Sequence, residues 1–170
     1  CQVSSTIYYC ALLADLEIVE RDCHSYPSDY VPLGMDATVD WSGPDLKFRN
    51  NTPYPIRIEA EVSGGKVKVK LIGTDEKDYY IKMEAKTVEI LNFDTVEEEY
   101  TAAEAQAKGY TNGQVKQEGV TGFTVYSYKC KYDKETDELI SRTKEVRSVY
   151  ERRDYTIAKI VDPNAPEPSE

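Results

Sequence analysis

The sequence has little of what common metal and redox sites require. Its 170 residues include one histidine and four cysteines, and the cysteines stand at positions 1, 10, 23 and 130 without a C-x-x-C pair. One histidine cannot complete an ordinary Cys/His zinc site, and four dispersed cysteines do not form a disulfide scaffold. We therefore expect no metal and no cofactor. Buried free thiols are the favoured interpretation, with a Cys10–Cys23 disulfide as the alternative.

Long apolar runs and an excess of basic residues are also missing. No run of about 18 apolar residues occurs, so no direct membrane insertion is expected of this chain. The 21 Lys and Arg residues against 31 Asp and Glu residues give a net charge of −10. Because binding to phosphates requires a basic face, nucleic acid is not an expected partner, and anionic lipid headgroups are disfavoured for the same reason.

The first part of the chain predicts one buried helix followed by antiparallel strands. Ser4 or Ser5 can cap a helix over about residues 6–14, which is apolar nearly all round. Short strands are predicted over residues 16–21, 37–39 and 45–49. Alternating apolar residues over 56–62 and 67–71, on either side of Ser63-Gly64-Gly65, predict a hairpin with one buried face.

Polar residues 73–78 mark the predicted domain boundary, between a domain over 1–74 and a mainly β domain over 79–162. Residues 97–108 have helical composition, although an extended connection is the alternative. A disordered tail is expected over 163–170. The predicted class is α+β and mostly β, with strands over the following segments: 80–90, 122–132, 140–149 and 155–161.

Nine of the fourteen tyrosines follow residue 78. Tyrosine rings suit stacking on sugars, but they are equally common in packed sheets, and sheet packing is the favoured interpretation.

The sequence contains one candidate reactive site, formed by Cys1, His24 and Asp36. Cys1 would lie at the N-terminus of the first helix, where the helix dipole favours a thiolate. His24 would act as its base and Asp36 would orient the imidazole. In the alternative interpretation the three residues have structural roles. Cys1 is then a small buried apolar residue, His24 bonds to the backbone at a strand end, and Asp36 is a turn residue.

Several short motifs in residues 1–73 resemble the C-terminal half of the VanW family. The resemblance implies an exported Gram-positive envelope protein whose signal or anchor precedes this segment, and an association with glycopeptide (vancomycin) resistance gene clusters. The chain begins with Cys rather than Met, which also indicates a piece of a longer protein. The motifs are Cys1-Gln2-Val3-Ser4-Ser5-Thr6-Ile7-Tyr8, Glu20-Arg21 before His24-Ser25, Tyr30 to Val39, and Asp45 to Asn51.

Residues from about 80 to 162 resemble the extracellular G-five module. That resemblance implies binding of cell-wall glycan that contains N-acetylglucosamine. The residues that support it are Gly113, Gln117 to Gly122, Tyr126-Ser127-Tyr128 and Tyr150 to Ile160.

Together these observations predict an extracellular cell-envelope protein that binds peptidoglycan or its glycan. The alternative is a cysteine-dependent peptidoglycan hydrolase or transpeptidase that uses Cys1 and His24. The sequence leaves the oligomeric state undetermined.

Overall fold

A computed structural model of the chain describes residues 1–162, so the predicted tail over 163–170 lies outside the described residues. The predicted class, mostly β with little helix, is confirmed. In chain order the elements are α1 (Gln2–Leu13), β1 (Glu17–Glu20), β2 (Lys47–Arg49), β3 (Arg57–Ser63), β4 (Lys66–Ile72), β5 (Tyr79–Leu91), β6 (Thr95–Thr101), α2 (Ala102–Lys108), β7 (Val115–Gln117), β8 (Gly122–Asp133), β9 (Leu139–Tyr150) and β10 (Tyr155–Val161).

These elements form two compact units. The first comprises Cys1–Glu89 together with Phe123–Tyr150, and the second comprises Ile90–Gly122 and the described residues from Glu151 onward. The units do not coincide with a division near residue 75, because β8 and β9 belong to the same unit as α1. None of the helices in the described part of the chain is long and apolar enough to span a bilayer.

Helix α1 forms the core of the first unit. Tyr8 and Leu12 are buried against Met35 and Ala37. The predicted serine cap is wrong, because the helix begins at Gln2 and no side chain caps it. Ser4 Oγ instead donates to the Ala37 carbonyl over 2.7 Å. This contact fixes the segment around Ala37 to the helix.

The predicted hairpin is confirmed as β3 and β4. Gly64 and Gly65 form its turn with φ values of 56° and 73°, a conformation that glycine adopts without strain. The hairpin lacks a fully buried face, because β3 is exposed throughout and the apolar residues of β4 are only half-buried against α1. Residues 37–39, predicted as a strand, form none; Thr38 N–H donates to the Asp22 carbonyl over 2.8 Å instead.

Strand β8 lies between β5 and β9 in a three-stranded sheet, and all three strands agree with the sequence prediction. The two faces of β8 differ in burial. Val125 and Ser127 are buried beside Gly34, whereas Tyr126 and Tyr128, which alternate with them, remain partly exposed. One face of this sheet therefore belongs to the core, and the other is partly exposed, although Cys130 on that face is buried.

In the second unit β10 lies between β6, to which it is parallel, and β7, to which it is antiparallel. The predicted helix over 97–108 begins only at Ala102. The residues before it pair with β10 as strand β6, so sheet pairing overrides helical composition there. Thr101 and Glu104 form a capping box at the start of α2, and Gly109, with a φ of 72°, ends the helix.

Candidate functional site

Asp36 is the centre of a buried polar network in the first unit. Its side chain is almost inaccessible, with 1% of the residue exposed. The carboxylate accepts a hydrogen bond from His24 N–H over 2.8 Å and another from the Tyr150 hydroxyl. Arg21 Nη2 lies 3.3 Å from the same carboxylate. A buried charge with this many donors is electrostatically compensated.

Arg21 connects this carboxylate to strand β9. Its guanidinium group, 4% exposed, donates from Nε to the Asp36 carbonyl over 2.7 Å. Nη1 donates to Ser148 Oγ over 2.8 Å and Nη2 to the Gly34 carbonyl over 3.2 Å. The guanidinium group also lies over the Tyr8 ring, 5.0 Å from its centroid. Arg21 thus holds the segment around Asp36 between α1 and β9.

The network changes the acidity of its members. Burial alone would raise the pKa of Asp36, but the hydrogen bonds from Tyr150 and His24, with the charge of Arg21, outweigh it and hold that pKa below its ordinary value. Burial and the Asp36 carboxylate raise the pKa of Tyr150. At neutral pH the site therefore contains a carboxylate and a phenol.

Both ring nitrogens of His24 have partners. Nδ1 lies 2.5 Å from the Asp36 carboxylate, and Nε2 lies 3.2 Å from the Tyr30 hydroxyl. The Asp36 contact places the ring N–H on Nδ1, so in the neutral tautomer Nε2 is the acceptor. The structure thus brings His24 and Asp36 together in the orientation that a general base requires.

Cys1 has a different environment. It is exposed, and its thiol donates to the Val39 carbonyl over 3.8 Å. The sulfur is therefore hydrogen-bonded to backbone, while Asp36 and Tyr30 occupy the ring nitrogens of His24. Of the three residues predicted from the sequence, His24 and Asp36 are therefore bonded to each other, whereas the Cys1 thiol bonds to the Val39 carbonyl instead.

The other cysteines are free as well. The alternative of a Cys10–Cys23 disulfide is wrong. Cys10 and Cys23 are half-buried and only Cys130 is fully buried, so the expectation of buried thiols holds for Cys130 alone. Burial raises the pKa of all three thiols, which disfavours their reactive thiolate form.

The sequence analysis did not identify Arg21, Tyr30 or Tyr150 as members of the site. Arg21 and Tyr30 do occur in the quoted motifs around His24, so the motifs themselves could have pointed to both. Tyr150 is separated from Asp36 by 114 residues, and no local pattern indicates that contact.

A second cluster lies on the solvent-facing side of the β5–β8–β9 sheet. Residues directly opposite each other on antiparallel strands share a face, and on β8 and β9 these pairs include Tyr126 with Arg147 and Tyr128 with Lys144. We call this surface the tyrosine face; it consists of Tyr80, Lys82, Tyr126, Tyr128, Tyr132, Arg142, Lys144 and Arg147.

At one end of the tyrosine face two rings stack. Tyr80 and Tyr132 have centroids 5.5 Å apart and planes inclined by 19°. Lys82 Nζ lies 5.8 Å from the first centroid and 5.2 Å from the second. These distances allow cation–π attraction to both rings.

At the other end each ring has its own cation. Lys144 Nζ lies 3.5 Å from the centroid of Tyr126, and the Arg142 guanidinium lies 3.7 Å from that of Tyr128. Arg142 also donates to Glu84 over 2.8 Å. The tyrosine face thus alternates aromatic rings with exposed positive groups. Within residues 1–162 no three His, Cys, Asp or Glu side chains are grouped as metal ligands would be.

Solved structures similar to this chain include two G5 domains. One is the G5 domain of an IgA1 protease, with 18% identity and a TM-score of 0.31 over 51% of this chain and 95% of that one. The other is HP0197-G5, with 19% identity and a TM-score of 0.23 over 49% of this chain and 99% of that one.

Sequence comparison finds similarity in the first part of the chain. The profile of the family described as VanW like protein matches residues 1–72. The uncharacterized protein YoaR of Bacillus subtilis (strain 168) is 45% identical over 75 residues, which are 44% of this chain and 25% of that protein. The chain thus spans a quarter of the length of this relative. The resemblance predicted from the sequence is confirmed for residues 1–72, which match the VanW family and contain Arg21, His24 and Asp36.

Proposed function

We propose that this chain is part of an extracellular cell-envelope protein and that it binds peptidoglycan or its glycan on the tyrosine face. The observation that supports this most is the arrangement of four partly exposed tyrosines on one face of the β5–β8–β9 sheet. Sugar rings pack their C–H faces on aromatic rings, and hydroxyl groups bond to the flanking polar groups. A row of rings along one sheet face suits an extended polysaccharide.

The VanW match supports the location of the parent protein, because the resemblance implies an exported envelope protein. In this proposal residues 1–72 have an accessory role in recognition, and any association with glycopeptide resistance operates through the parent protein. The Asp36 network holds the first part of the chain to β9, whose outer side belongs to the tyrosine face. The two features are therefore parts of one compact unit.

Cosedimentation with insoluble peptidoglycan tests this proposal. The chain is expected to sediment with the polymer, and the triple variant Tyr126→Ala/Tyr128→Ala/Tyr132→Ala is expected to lose at least tenfold in apparent affinity. The control is Tyr54→Ala, which removes a tyrosine from the loop between β2 and β3 of the same unit. Circular dichroism checks that each variant folds. A wild-type chain that stays in the supernatant, or a triple variant that sediments normally, would contradict the proposal.

A second candidate function is cysteine-dependent cleavage or transfer of peptidoglycan stem peptides. The contact between His24 Nδ1 and Asp36 favours it, because a carboxylate commonly orients a catalytic imidazole in this way. Cys1 would be the nucleophile and His24 the base. Catalysis would require the thiol to exchange the Val39 carbonyl for His24 Nε2.

The thiol chemistry of Cys1 tests this second candidate. Cys1 is expected to react with iodoacetamide at neutral pH at least tenfold faster in the wild-type chain than in His24→Ala. Cys1→Ala should also abolish any release of stem peptides from peptidoglycan. An equal alkylation rate in the two chains, or turnover that survives Cys1→Ala, would exclude the enzyme.

A further inference from the structure

The charge of the tyrosine face differs in sign from that of the chain. The chain as a whole has a net charge of −10, but this face contains four cations, Lys82, Arg142, Lys144 and Arg147. The carboxylates bound there are Glu84, which pairs with Arg142, and Asp137, which accepts a hydrogen bond from the Tyr80 hydroxyl over 2.8 Å. The local excess of positive charge is therefore a property of this surface.

Three of these cations lack an internal counter-charge. Among residues 1–162, no carboxylate lies within ion-pair distance of Lys82, Lys144 or Arg147. On the opposite face of the same sheet, Lys129 of β8 lies 2.8 Å from Asp15. Lys82 and Lys144 instead lie over tyrosine rings and Arg147 is exposed, which leaves their charge available to an external anion.

The cations also limit how a neutral sugar can approach. Lys144 and Arg142 cover one side of the Tyr126 and Tyr128 rings. A neutral sugar would have to displace these groups in order to stack there, whereas an anionic group meets them directly. Arginine and lysine bind phosphate and carboxylate through short, charge-assisted hydrogen bonds.

The spacing of the cations fits a repeating ligand. Residues two positions apart on a strand lie about 7 Å from each other on the same face, so Arg142 and Lys144 present positive groups at roughly this interval. An extended polymer with one anionic group in each short hydroxylated unit can place successive anions beside them. Its uncharged units would then contact the rings.

We propose that the tyrosine face binds an anionic wall glycopolymer, in which phosphate or carboxylate groups alternate with hydroxylated units, more tightly than it binds neutral glycan. The inference rests on the proposed function and specifies its ligand class. Single-stranded nucleic acid is the less favoured polyanion, because its bases require free aromatic platforms and the rings of Tyr126 and Tyr128 are covered on one side by cations.

Fluorescence anisotropy with four labelled probes tests the inference: poly(glycerol phosphate), polygalacturonate, a neutral N-acetylglucosamine oligomer and a single-stranded oligonucleotide. At least one of the first two is expected to bind tenfold more tightly than the last two. Its affinity should fall as salt concentration rises, because ion pairs on an exposed face are screened. Comparison of the first two probes distinguishes phosphate from carboxylate as the anionic group.

The variant Lys82→Gln/Lys144→Gln/Arg147→Gln removes only cations that have no carboxylate partner in the described part of the chain. It should weaken binding of the anionic polymer at least tenfold and leave the thermal melting temperature nearly unchanged. Lys66→Gln/Lys68→Gln/Lys70→Gln removes the same charge from the exposed side of β4 and is the matched control. Its binding should stay within twofold of wild type.

The possible outcomes separate this inference from the proposed function. Equal, salt-independent binding of the neutral oligomer would overturn the anionic ligand and leave glycan binding intact. Binding of the oligonucleotide as tight as that of the wall polymers would also overturn the inference. Failure of all four probes together with failure to sediment with peptidoglycan would contradict both.

Discussion

The Asp36 network and the tyrosine face use the same kinds of residue in opposite ways. Around Asp36, a guanidinium group, an imidazole and a phenol all direct hydrogen bonds at one buried carboxylate or its neighbours. On the tyrosine face the cations are exposed and the tyrosines are partly exposed, and three of the cations have no carboxylate partner within residues 1–162. Buried charge with internal partners determines how the chain folds, whereas exposed charge without them is available for binding.

This comparison changes the interpretation of the VanW motifs. Arg21, His24 and Asp36 lie in those motifs, and His24 and Asp36 belong with Cys1 to the catalytic arrangement predicted from the sequence. In the structure Arg21 and Asp36 fix residues 20–39 to β9 through Ser148 and Tyr150. A structural role accounts for these contacts directly, which is why we place ligand binding on the tyrosine face.

The largest effect should come from removing the buried carboxylate. Asp36→Asn keeps the shape of the side chain but leaves the Arg21 charge buried without its counter-ion. We expect the free energy of unfolding to fall by about 3–5 kcal/mol, the usual cost of breaking one side of a buried ion pair. Urea denaturation measures this change.

Asp45→Asn is the control for that variant, because Asp45 is exposed and its substitution should cost no more than about 0.5 kcal/mol. Equal stabilities of the two variants would show that the buried network does not determine the fold. Binding of wall polymer by folded Asp36→Asn should remain close to that of wild type.

A smaller effect is expected at Tyr150. Tyr150→Phe removes the hydroxyl that donates to Asp36 and accepts from the Gly34 N–H over 2.7 Å. Two buried polar groups then lose a partner, so stability should fall by about 1–3 kcal/mol. Tyr126→Phe, which removes a hydroxyl group from the tyrosine face, is the matched control. A loss for Tyr150→Phe no larger than the control value would contradict the role assigned to this hydroxyl.

The network should also respond to acid. Because the folded-state pKa of Asp36 lies below its ordinary value of 3.8, its carboxylate stabilises the fold fully above that value. This contribution is lost as the pH falls through the folded pKa, with a slope of at most about 1.4 kcal/mol per pH unit for one proton.

Urea denaturation of wild type and Asp36→Asn between pH 6 and pH 2 measures the acid response. The difference between the two free energies of unfolding should be constant near pH 6. It should decrease below about pH 4, where aspartate in the unfolded chain binds protons. A difference that stays constant down to pH 2, or that narrows near pH 6, would contradict this assignment.

The smallest effect on stability should come from the tyrosine face. Lys144→Gln removes one exposed cation over Tyr126 and should change stability by no more than about 1 kcal/mol. The same variant should weaken binding of the anionic polymer measurably. A large loss of stability without a loss of binding would contradict the binding role of this face and would indicate a structural role instead.

Local patterns predicted the regular elements well. The hairpin turn at Ser63-Gly64-Gly65 and the alternation in β5, β8, β9 and β10 specify those strands from neighbouring residues alone. Residues 97–101 could not be predicted in this way, because their pairing with β10 depends on residues far along the chain. The same applies to Ser4, whose hydroxyl bonds to Ala37 rather than capping the helix.

The candidate site was predictable only in part. The motif around His24 pointed to His24 and Asp36, which do form a pair. Tyr150 and Ser148 reach the network only because β9 packs beside the first segment, and no spacing in the sequence indicates that packing. The tyrosine face likewise depends on strand pairing. The pairing of β8 with β9 brings Tyr126 and Tyr128 beside their cations, and its pairing with β5 brings Tyr132 beside Lys82.

The most direct test of the account is an NMR titration of the chain with solubilised wall fragments that retain their anionic polymer, observed through labelled tyrosine rings. We predict saturable shift changes for Tyr126, Tyr128 and Tyr132, with Tyr30 and Tyr150 unaffected. Changes confined to Tyr30 and Tyr150, beside His24 and Asp36, or no changes at all, would contradict the claim that the tyrosine face binds the wall.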